Sequence, residues 1–236
     1  MLVIVAQVYF FDEAFELVLW WRVRTVASKL TGNLPELTWS QTFTAVAPAS
    51  LYGKEGISET GFVTRVREEK GVPCPMLFRT PLGDFWGRRK DEPMFEFLLV
   101  EQLVYRLYDH DTASVGPRDI VLDVGSHLGT FTRFALMRGA RKVVGFEPDP
   151  GSISCFKRTF AEELQDGKVV LVEAAAWESP GILQFEVHDL WSAASNVSKE
   201  GALEVKAVTI DAEVGRHGCH VVGRSGDRSE RLSGML

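Results

Sequence analysis

Cysteine is scarce in this chain. The three cysteines, Cys74, Cys155 and Cys219, lie far apart among 236 residues. Disulfide frameworks and structural zinc sites use paired ligands at short spacing, so this pattern predicts neither of them. We therefore expect no bound metal and a reducing, cytoplasmic environment.

Basic residues are not in excess either. Lysine and arginine together number 26 against 32 aspartates and glutamates, which gives a formal net charge of −6. Proteins that bind nucleic acids usually carry a clustered excess of lysine and arginine that neutralises phosphates. The charge balance therefore argues against a nucleic-acid partner and favours a small-molecule ligand.

The N-terminal region lacks an apolar run long enough to cross a membrane. Its first thirty residues are rich in apolar and aromatic side chains, but Asp12, Glu13 and Glu16 interrupt them. A transmembrane helix needs about 20 apolar residues, and a signal peptide needs a basic segment in front of its apolar one. We predict an amphipathic helix packed on the body of the protein, with a membrane-interfacial anchor as the alternative.

Residues 31–75 are rich in Gly, Pro, Ser and Thr, so residues 1–75 are predicted to be a helical extension with a loosely structured cover.

Regular patterns begin at residue 76. Proline and glycine within residues 80–84 predict a tight turn between two strands, and residues 92–108 place apolar side chains at helical intervals. Strand and helix signals then alternate, with predicted strands at 120–124, 143–146 and 169–172 and predicted helices at 130–138 and 152–164. Parallel strands need crossover connections, so this alternation is typical of a doubly wound α/β sheet.

The C-terminal part follows a different pattern. Residues 182–187 and 204–210 have strand character and are predicted to pair as an antiparallel appendage. Gly, Arg and Ser dominate from residue 215 onward. A segment of this composition buries too little apolar surface to offset its ordering entropy, so residues 214–236 are predicted to be a disordered tail.

The strongest functional signal is the segment from Asp123 to Gly129, which joins a predicted strand to a predicted helix. Gly125 permits a tight turn and close approach of a ligand to bare backbone, and Gly129 lets the helix begin close to the sheet. Glu147 follows the next strand, where an acid accepts hydrogen bonds from the ribose hydroxyls of an adenosine.

The acid at the start of this loop separates two cofactor classes. Enzymes that bind NAD use three glycines to bring a pyrophosphate onto the helix N-terminus, whereas this loop has two glycines after Asp123. A carboxylate repels a pyrophosphate and attracts an ammonium group. S-adenosylmethionine has the ammonium group and no phosphate, so it is the expected cofactor, and a nicotinamide-dependent oxidoreductase is the alternative.

Residues 121–132 (VLDVGSHLGTFT) and 144–150 (VGFEPDP) resemble the first two motifs of FkbM-type methyltransferases, which methylate hydroxyl oxygens of small molecules or sugars. Residues 79–86, the pair Glu101-Gln102, and residues 174–177 and 208–211 are also similar to that family in order and spacing. The resemblance covers residues 76–213. It implies a Rossmann-like methyltransferase domain of class I with a doubly wound sheet. The resemblance and the loop together predict these cofactor-binding residues: Asp123, Gly125, Ser126, His127, Gly129, Thr130, Glu147, Pro148, Ala175 and Trp177.

The likeness to the family ends near Val214. Family members continue with a further strand that carries a Lys-x-Asp-x-Glu-Gly-type motif, which residues 214–236 do not resemble. We therefore expect a partial methyltransferase domain whose sheet is incomplete at its C-terminal side, with an exposed edge. A truncated, non-catalytic remnant is a further alternative.

Five other residues have open roles. His127 is expected to pack within the loop or contact the cofactor, with a general base as the alternative. Glu101 is expected to be solvated rather than to reach the cofactor. His217, Cys219 and His220 have metal-ligating side chains, but they lie in the predicted tail without a fourth partner and are not expected to bind a metal.

Overall fold

The computed structural model describes residues 2–6, 23, 25–32, 35–46, 62–105, 114–187, 196–198 and 201–217. The strands are β1 Leu2–Ala6, β2 Thr64–Glu68, β3 Met76–Thr80, β4 Gly83–Gly87, β5 Ile120–Val124, β6 Lys142–Phe146, β7 Val169–Val172, β8 Ala175–Ala176, β9 Gly181–Glu186, β10 Asn196–Val197 and β11 Leu203–Val208. The α-helices are α1 Trp39–Val46, α2 Glu92–Val100, α3 Thr130–Met137, α4 Pro150–Thr159, α5 Ala161–Gln165 and α6 Ile210–Arg216. The protein is therefore of the α/β class.

The central sheet is parallel and has the strand order β1-β5-β6-β7. Its strands β5, β6 and β7 coincide closely with the three predicted strands. Val121 and Val143 lie in one apolar cluster with the rings of α3 and α4, whereas Leu122 and Val144 lie in a second cluster with Val208 of β11. Both faces of the sheet are thus covered, which explains why the sequences of these strands are apolar without alternation.

The N-terminal segment does not form the predicted helix at its start. Residues 2–6 are the strand β1, which pairs in parallel with β5 from Leu2↔Ile120 to Ala6↔Val124. The side of β5 that faces away from β6 is therefore paired rather than left as the exposed edge that we expected. Residues 25–30 are helical, and residues 7–22 lie outside the described part of the chain.

The prediction of a loosely structured cover over residues 31–75 is wrong in two places. Helix α1 begins after Thr38, whose main-chain N–H donates to Gln41 Oε1 (2.9 Å) while Gln41 N–H donates to Thr38 Oγ1 (3.2 Å). This is a capping box, a signal that Thr38 and Gln41 already carry in the sequence. Strand β2 is exposed along its whole length, and its conformation comes from pairing with β3 rather than from an apolar period.

The hairpin predicted from residue 76 is present. Strands β3 and β4 pair from Met76↔Gly87 to Thr80↔Gly83, and β2 adds a third strand at the free side of β3. Helix α2 packs on this small sheet through Phe95, whose ring lies near the rings of Phe78 and Phe85. The predicted helix over 92–108 continues as a π-helical segment, Glu101–Tyr105, and residues 106–108 lie outside the described residues.

Two helical boundaries differ from the sequence prediction. The helix predicted over 152–164 is divided into α4 and α5 at Phe160, whose backbone leaves the helical region (φ −110°, ψ 30°) while its ring is buried. The predicted disordered tail begins too early, because α6 extends to Arg216 and buries Val214. Residues 218–236 lie outside the described part of the chain.

The predicted antiparallel appendage is present as a second sheet with the order β10-β9-β11-β8. Strands β9 and β11 pair from Leu203↔Phe185 to Ala207↔Gly181, and β8 pairs with β11 in parallel. No helix in the described residues is long and apolar enough to cross a membrane.

A disulfide joins Cys74 to Cys155, two residues separated by 81 positions. Cys74 lies in the connection between β2 and β3, and Cys155 lies in α4, so the bond links the small sheet to a helix of the central layer. Both side chains are buried. The scattered cysteines did not predict this bond, because the two residues meet only through the packing of these elements.

Candidate functional site

The predicted acids come together at one edge of the central sheet. Strands β5 and β6 are parallel neighbours in which Asp123 is paired with Gly145, and Glu147 directly follows β6. Both carboxylates are buried, and they are close enough for the charge of Asp123 to raise the pKa of Glu147. Because the carboxyl ends of parallel strands meet at the same edge, this is where α/β sheets bind ligands.

The loop after β5 is closed by its own hydrogen bonds. The main-chain N–H groups of Gly125 and Ser126 both donate to the carbonyl of Phe146 (3.0 Å each), and Gly129 N–H donates to the carbonyl of Ser126 (2.7 Å). Gly125 has φ +81°, and a Cβ added there would meet no atom of the described residues within 4 Å. Open space therefore lies directly above bare backbone at Gly125, as a closely bound ligand requires.

Gly129 has the opposite surroundings. It combines φ +86° with close packing, because a Cβ built on it would lie 2.2 Å from Cε2 of Phe160 and 2.8 Å from Cε2 of Phe156. The absence of a side chain thus lets α3 begin directly against the rings of α4.

We expect Gly129→Ala to lower the free energy of unfolding by about 3 kcal/mol or more, since the left-handed backbone costs about 1–2 kcal/mol and overpacking about 1–3 kcal/mol. Gly167→Ala is a matched control, because Gly167 has φ +71° but no atom within 4 Å of an added Cβ. The Gly167→Ala variant should lose only the stability that the left-handed backbone conformation costs, about 1–2 kcal/mol. Urea unfolding of both variants measures the difference, and equal losses would show that the rings of Phe156 and Phe160 are not the constraint at Gly129.

Asp123 is fully buried at the end of β5. Its Oδ2 accepts a hydrogen bond from Thr132 Oγ1 (2.5 Å), while within the described residues its Oδ1 is buried and has no hydrogen-bond partner. Burial raises the pKa of Asp123 to about 6, although the hydrogen bonds of Thr132 act against this. A buried carboxylate oxygen without a donor is costly, so this atom marks a place where a ligand donor would be stabilised.

Glu147 already holds the loop in place. Its Oε2 accepts from the main-chain N–H of His127 and its Oε1 from that of Asp149, both at 2.8 Å. The pKa of Glu147 is raised to about 7, and burial is the largest cause. The two hydrogen bonds act to lower this pKa, whereas the charges of Asp149 and Asp123 act to raise it. Each carboxylate oxygen accepts two hydrogen bonds, so Glu147 retains one acceptor position per oxygen for a ligand.

The other predicted loop residues are mainly internal. Ser126 Oγ donates to the carbonyl of Asp123 (3.0 Å), and Thr130 Oγ1 lies 3.1 Å from the side-chain amide of Gln102. His127 is buried with φ +49°, and burial lowers its pKa to about 4, so the imidazole is neutral near neutral pH. This burial agrees with packing inside the loop rather than with a general base. Pro148 is half-buried between Glu147 and Asp149.

Ala175 and Trp177, the last two predicted cofactor-binding residues, lie beyond the end of β7. Ala175 belongs to β8 and is buried, whereas Trp177 is 37% exposed and its main-chain N–H donates to the carbonyl of Val208 (2.8 Å). The connection from β7 to β8 begins next to the acidic residues, because Glu147 N–H donates to the carbonyl of Val172 at the end of β7 (3.1 Å).

Glu101 is less solvated than the sequence suggested. It is half-buried in the π-helical segment, and burial raises its pKa to about 7. Its neighbour Gln102 is buried and reaches Thr130 at the N-terminus of α3, so this segment packs against the helix that follows the glycine loop. π-Helical turns are frequent at functional sites.

Sequence reasoning missed a buried ionic cluster beside the loop. Arg88 contacts both Asp91 (Nε to Oδ2, 2.8 Å) and Asp149 (Nη1 to Oδ2, 3.1 Å), and Asp149 caps the N-terminus of α4. The sequence did carry part of the signal, since aspartate followed by proline is typical of a helix start. Nothing local indicated that Arg88 would reach Asp149, 61 positions away.

The tail residues with metal-ligating side chains do not form a cluster that the structure describes. His217 Nε2 lies 3.4 Å from Glu213 Oε2, and Cys219 and His220 lie outside the described residues. Among the residues that are described, no group of three or more His, Cys, Asp or Glu side chains could hold a metal ion.

Comparisons of the chain with protein-family models, with curated proteins and with solved structures found no match. The α/β class thus stands on the architecture alone.

Proposed function

We propose that this chain is an S-adenosylmethionine-dependent methyltransferase with a Rossmann-like domain that resembles the FkbM type. Its acceptor would be a hydroxyl oxygen of a small molecule or a sugar. The observation that carries the proposal is the buried Asp123 carboxylate, whose Oδ1 has no donor within the described residues and which stands two positions before the open backbone of Gly125.

An ammonium group suits Asp123 on energetic grounds. With its pKa raised to about 6, Asp123 is mostly ionised at neutral pH although it is desolvated. A cationic donor at Oδ1 would supply both the missing hydrogen bond and the missing counter-charge. The amino-acid end of S-adenosylmethionine has such a group, and its ribose hydroxyls would donate to the remaining acceptor positions of Glu147.

The main-chain donors of the loop argue against a dinucleotide. A pyrophosphate is bound through free N–H groups at a glycine loop and helix N-terminus. Here the N–H groups of Gly125, Ser126 and Gly129 donate to carbonyls within the protein, and that of His127 donates to Glu147. Four loop donors are therefore already used, and two buried acids add repulsion toward a diphosphate.

The chemistry needs little from the protein beyond position. S-adenosylmethionine supplies an electrophilic methyl group on a sulfonium, and its transfer to a hydroxyl is an in-line displacement. Asp123, the bare backbone at Gly125 and Glu147 would orient the cofactor at the edge of the sheet. No residue is assigned as the base that removes the proton of the acceptor, because His127 is buried and its pKa of about 4 makes it a weak base.

Calorimetry separates the proposal from its rivals. S-adenosylhomocysteine, the demethylated product, should bind with one site per chain, and NAD should not bind. NAD binding without S-adenosylhomocysteine binding would establish the nicotinamide-dependent alternative. Incubation of the protein with radiolabelled S-adenosylmethionine and a panel of sugar and small-molecule hydroxyl acceptors then separates a methyltransferase from a protein that binds the cofactor without turnover.

A further inference from the structure

Arg88 lies at the boundary between the small sheet and the central layer. It follows β4, and only 16% of its side chain is exposed. Its guanidinium donates to both oxygens of Asp91 (2.8 and 2.9 Å), twice to Asp149 Oδ2 (3.1 Å each) and to Ser152 Oγ (3.2 Å). Although burial acts to raise them, the contacts with Arg88 help to hold the pKa values of both Asp91 and Asp149 below their usual range.

This cluster is connected to the candidate site through the backbone of Asp149. The Asp149 side chain accepts from Arg88 and from the N–H groups of Gly151 and Ser152, which leaves it little freedom. The main-chain N–H of Asp149 donates to Glu147 Oε1, and the other oxygen of Glu147 accepts from His127. A shift of Asp149 would therefore rotate or release the Glu147 carboxylate.

We propose that Arg88 is a positioning residue for the cofactor: it holds Asp149, and through the Asp149 N–H it orients the Glu147 carboxylate toward the ribose hydroxyls. This inference rests on the proposed function. Arg88 does not touch the ligand in this role. Its effect reaches the site through two hydrogen bonds from Arg88 to Asp149 (3.1 Å each) and one from the Asp149 N–H to Glu147 (2.8 Å).

Arg88 also compensates the charge of Asp149, which is one of the two charges that act on Glu147. Asp149 and Asp123 raise the pKa of Glu147, and the other nearby groups are the neutral His127 and Asp91, which pairs with Arg88. Loss of the guanidinium would leave Asp91 and Asp149 uncompensated, and the pKa of Glu147 would rise above its present value of about 7. A ligand that donates to the ionised form of Glu147 would then bind well only at higher pH.

The test compares Arg88→Gln with Arg158→Gln. Arg158 joins the same two layers, because it pairs with Glu69 and donates to the carbonyl of Cys74 (2.7 Å), but in the described part of the chain it does not contact Asp149. Calorimetric titration with S-adenosylhomocysteine from about pH 5.5 to about pH 8.5 gives the affinity at each pH, and the midpoint is the pH at which half of the change in affinity has occurred. We expect Arg88→Gln to bind about tenfold more weakly at neutral pH, with a midpoint shifted upward by about half a pH unit or more.

Arg158→Gln should lower thermal stability and leave both the affinity and the midpoint at the wild-type values. Should Arg88→Gln not fold, Arg88→Lys retains the charge but not the forked hydrogen bonds, and it should bind more weakly with the wild-type midpoint. A folded Arg88 variant with wild-type affinity and midpoint overturns the inference.

Failure of the proposed function gives a different result. If the wild-type protein binds no S-adenosylhomocysteine, the cofactor assignment is wrong. Carboxyl carbon NMR of Glu147 still reports whether its pKa rises in the Arg88→Gln protein, and an unchanged pKa would overturn the role of Arg88 by itself.

Discussion

Asp123→Asn is expected to weaken S-adenosylhomocysteine binding by about 100- to 4,000-fold, because breaking a buried ion pair costs about 3–5 kcal/mol. Asparagine has nearly the same shape and can still accept the hydrogen bond from Thr132. It lacks the charge, however, and would place either a neutral oxygen or an amide donor against the ligand's ammonium group. Isothermal titration calorimetry at neutral pH measures the loss.

Asp119→Asn is the matched control for this substitution. Asp119 directly precedes β5, at the end of the strand opposite to the candidate site, and it is also buried with a hydrogen bond from Gly116 N–H (2.9 Å). This variant should keep wild-type affinity even if it loses some stability. An Asp123→Asn protein that binds as tightly as the wild type would show that no ammonium group meets Asp123, and the assignment of the cofactor would lose its main support.

Reduction of the Cys74–Cys155 disulfide is expected to lower the free energy of unfolding by about 4 kcal/mol, because the bond closes a loop of 81 residues in the unfolded chain. The bond also joins the small sheet to α4, the helix that Asp149 caps. Loss of the bond should therefore weaken the packing between the small sheet and α4, where Arg88 also makes its contacts. Guanidinium unfolding with and without a thiol reductant measures the change.

Two cysteine variants complete this experiment. The double substitution Cys74→Ala, Cys155→Ala should be less stable than the oxidised wild type and insensitive to reductant, whereas Cys219→Ala should keep the wild-type sensitivity. Coincident unfolding curves of the wild type with and without reductant would mean that the two thiols are not joined in solution.

The sequence predicted the parts of the fold that depend on near neighbours. The apolar runs of β5, β6 and β7 and the turn of the β3–β4 hairpin were located to within a residue or two. Such elements follow from local backbone preferences and from the spacing of apolar side chains, which a single sequence shows directly. The glycine loop was found in the same way, since Gly125 and Gly129 stand between a strand and a helix.

Boundaries were less predictable where a distant partner decides the conformation. Strand β2 is exposed and has no apolar period, so only its pairing with β3 makes it a strand. Phe160 ends α4 where its ring is buried against Phe85 and Phe156. The capping box of Thr38 and Gln41 was a local signal for α1 that the sequence already contained.

For the candidate site, the sequence by itself determined which acids lie near the carboxyl ends of β5 and β6, and parallel pairing then brings Asp123 and Glu147 to one edge. Only the tertiary structure decided which hydrogen-bond partners those acids have. It showed that Asp123 Oδ1 is without a donor in the described residues, that Glu147 is held by main-chain N–H groups, and that Arg88 reaches Asp149. It also joined Cys74 to Cys155 and placed β1 beside β5. The contact of Arg88 with Asp149, the disulfide and the pairing of β1 with β5 connect residues dozens of positions apart, and their geometry depends on how whole layers pack, which local periodicity does not encode.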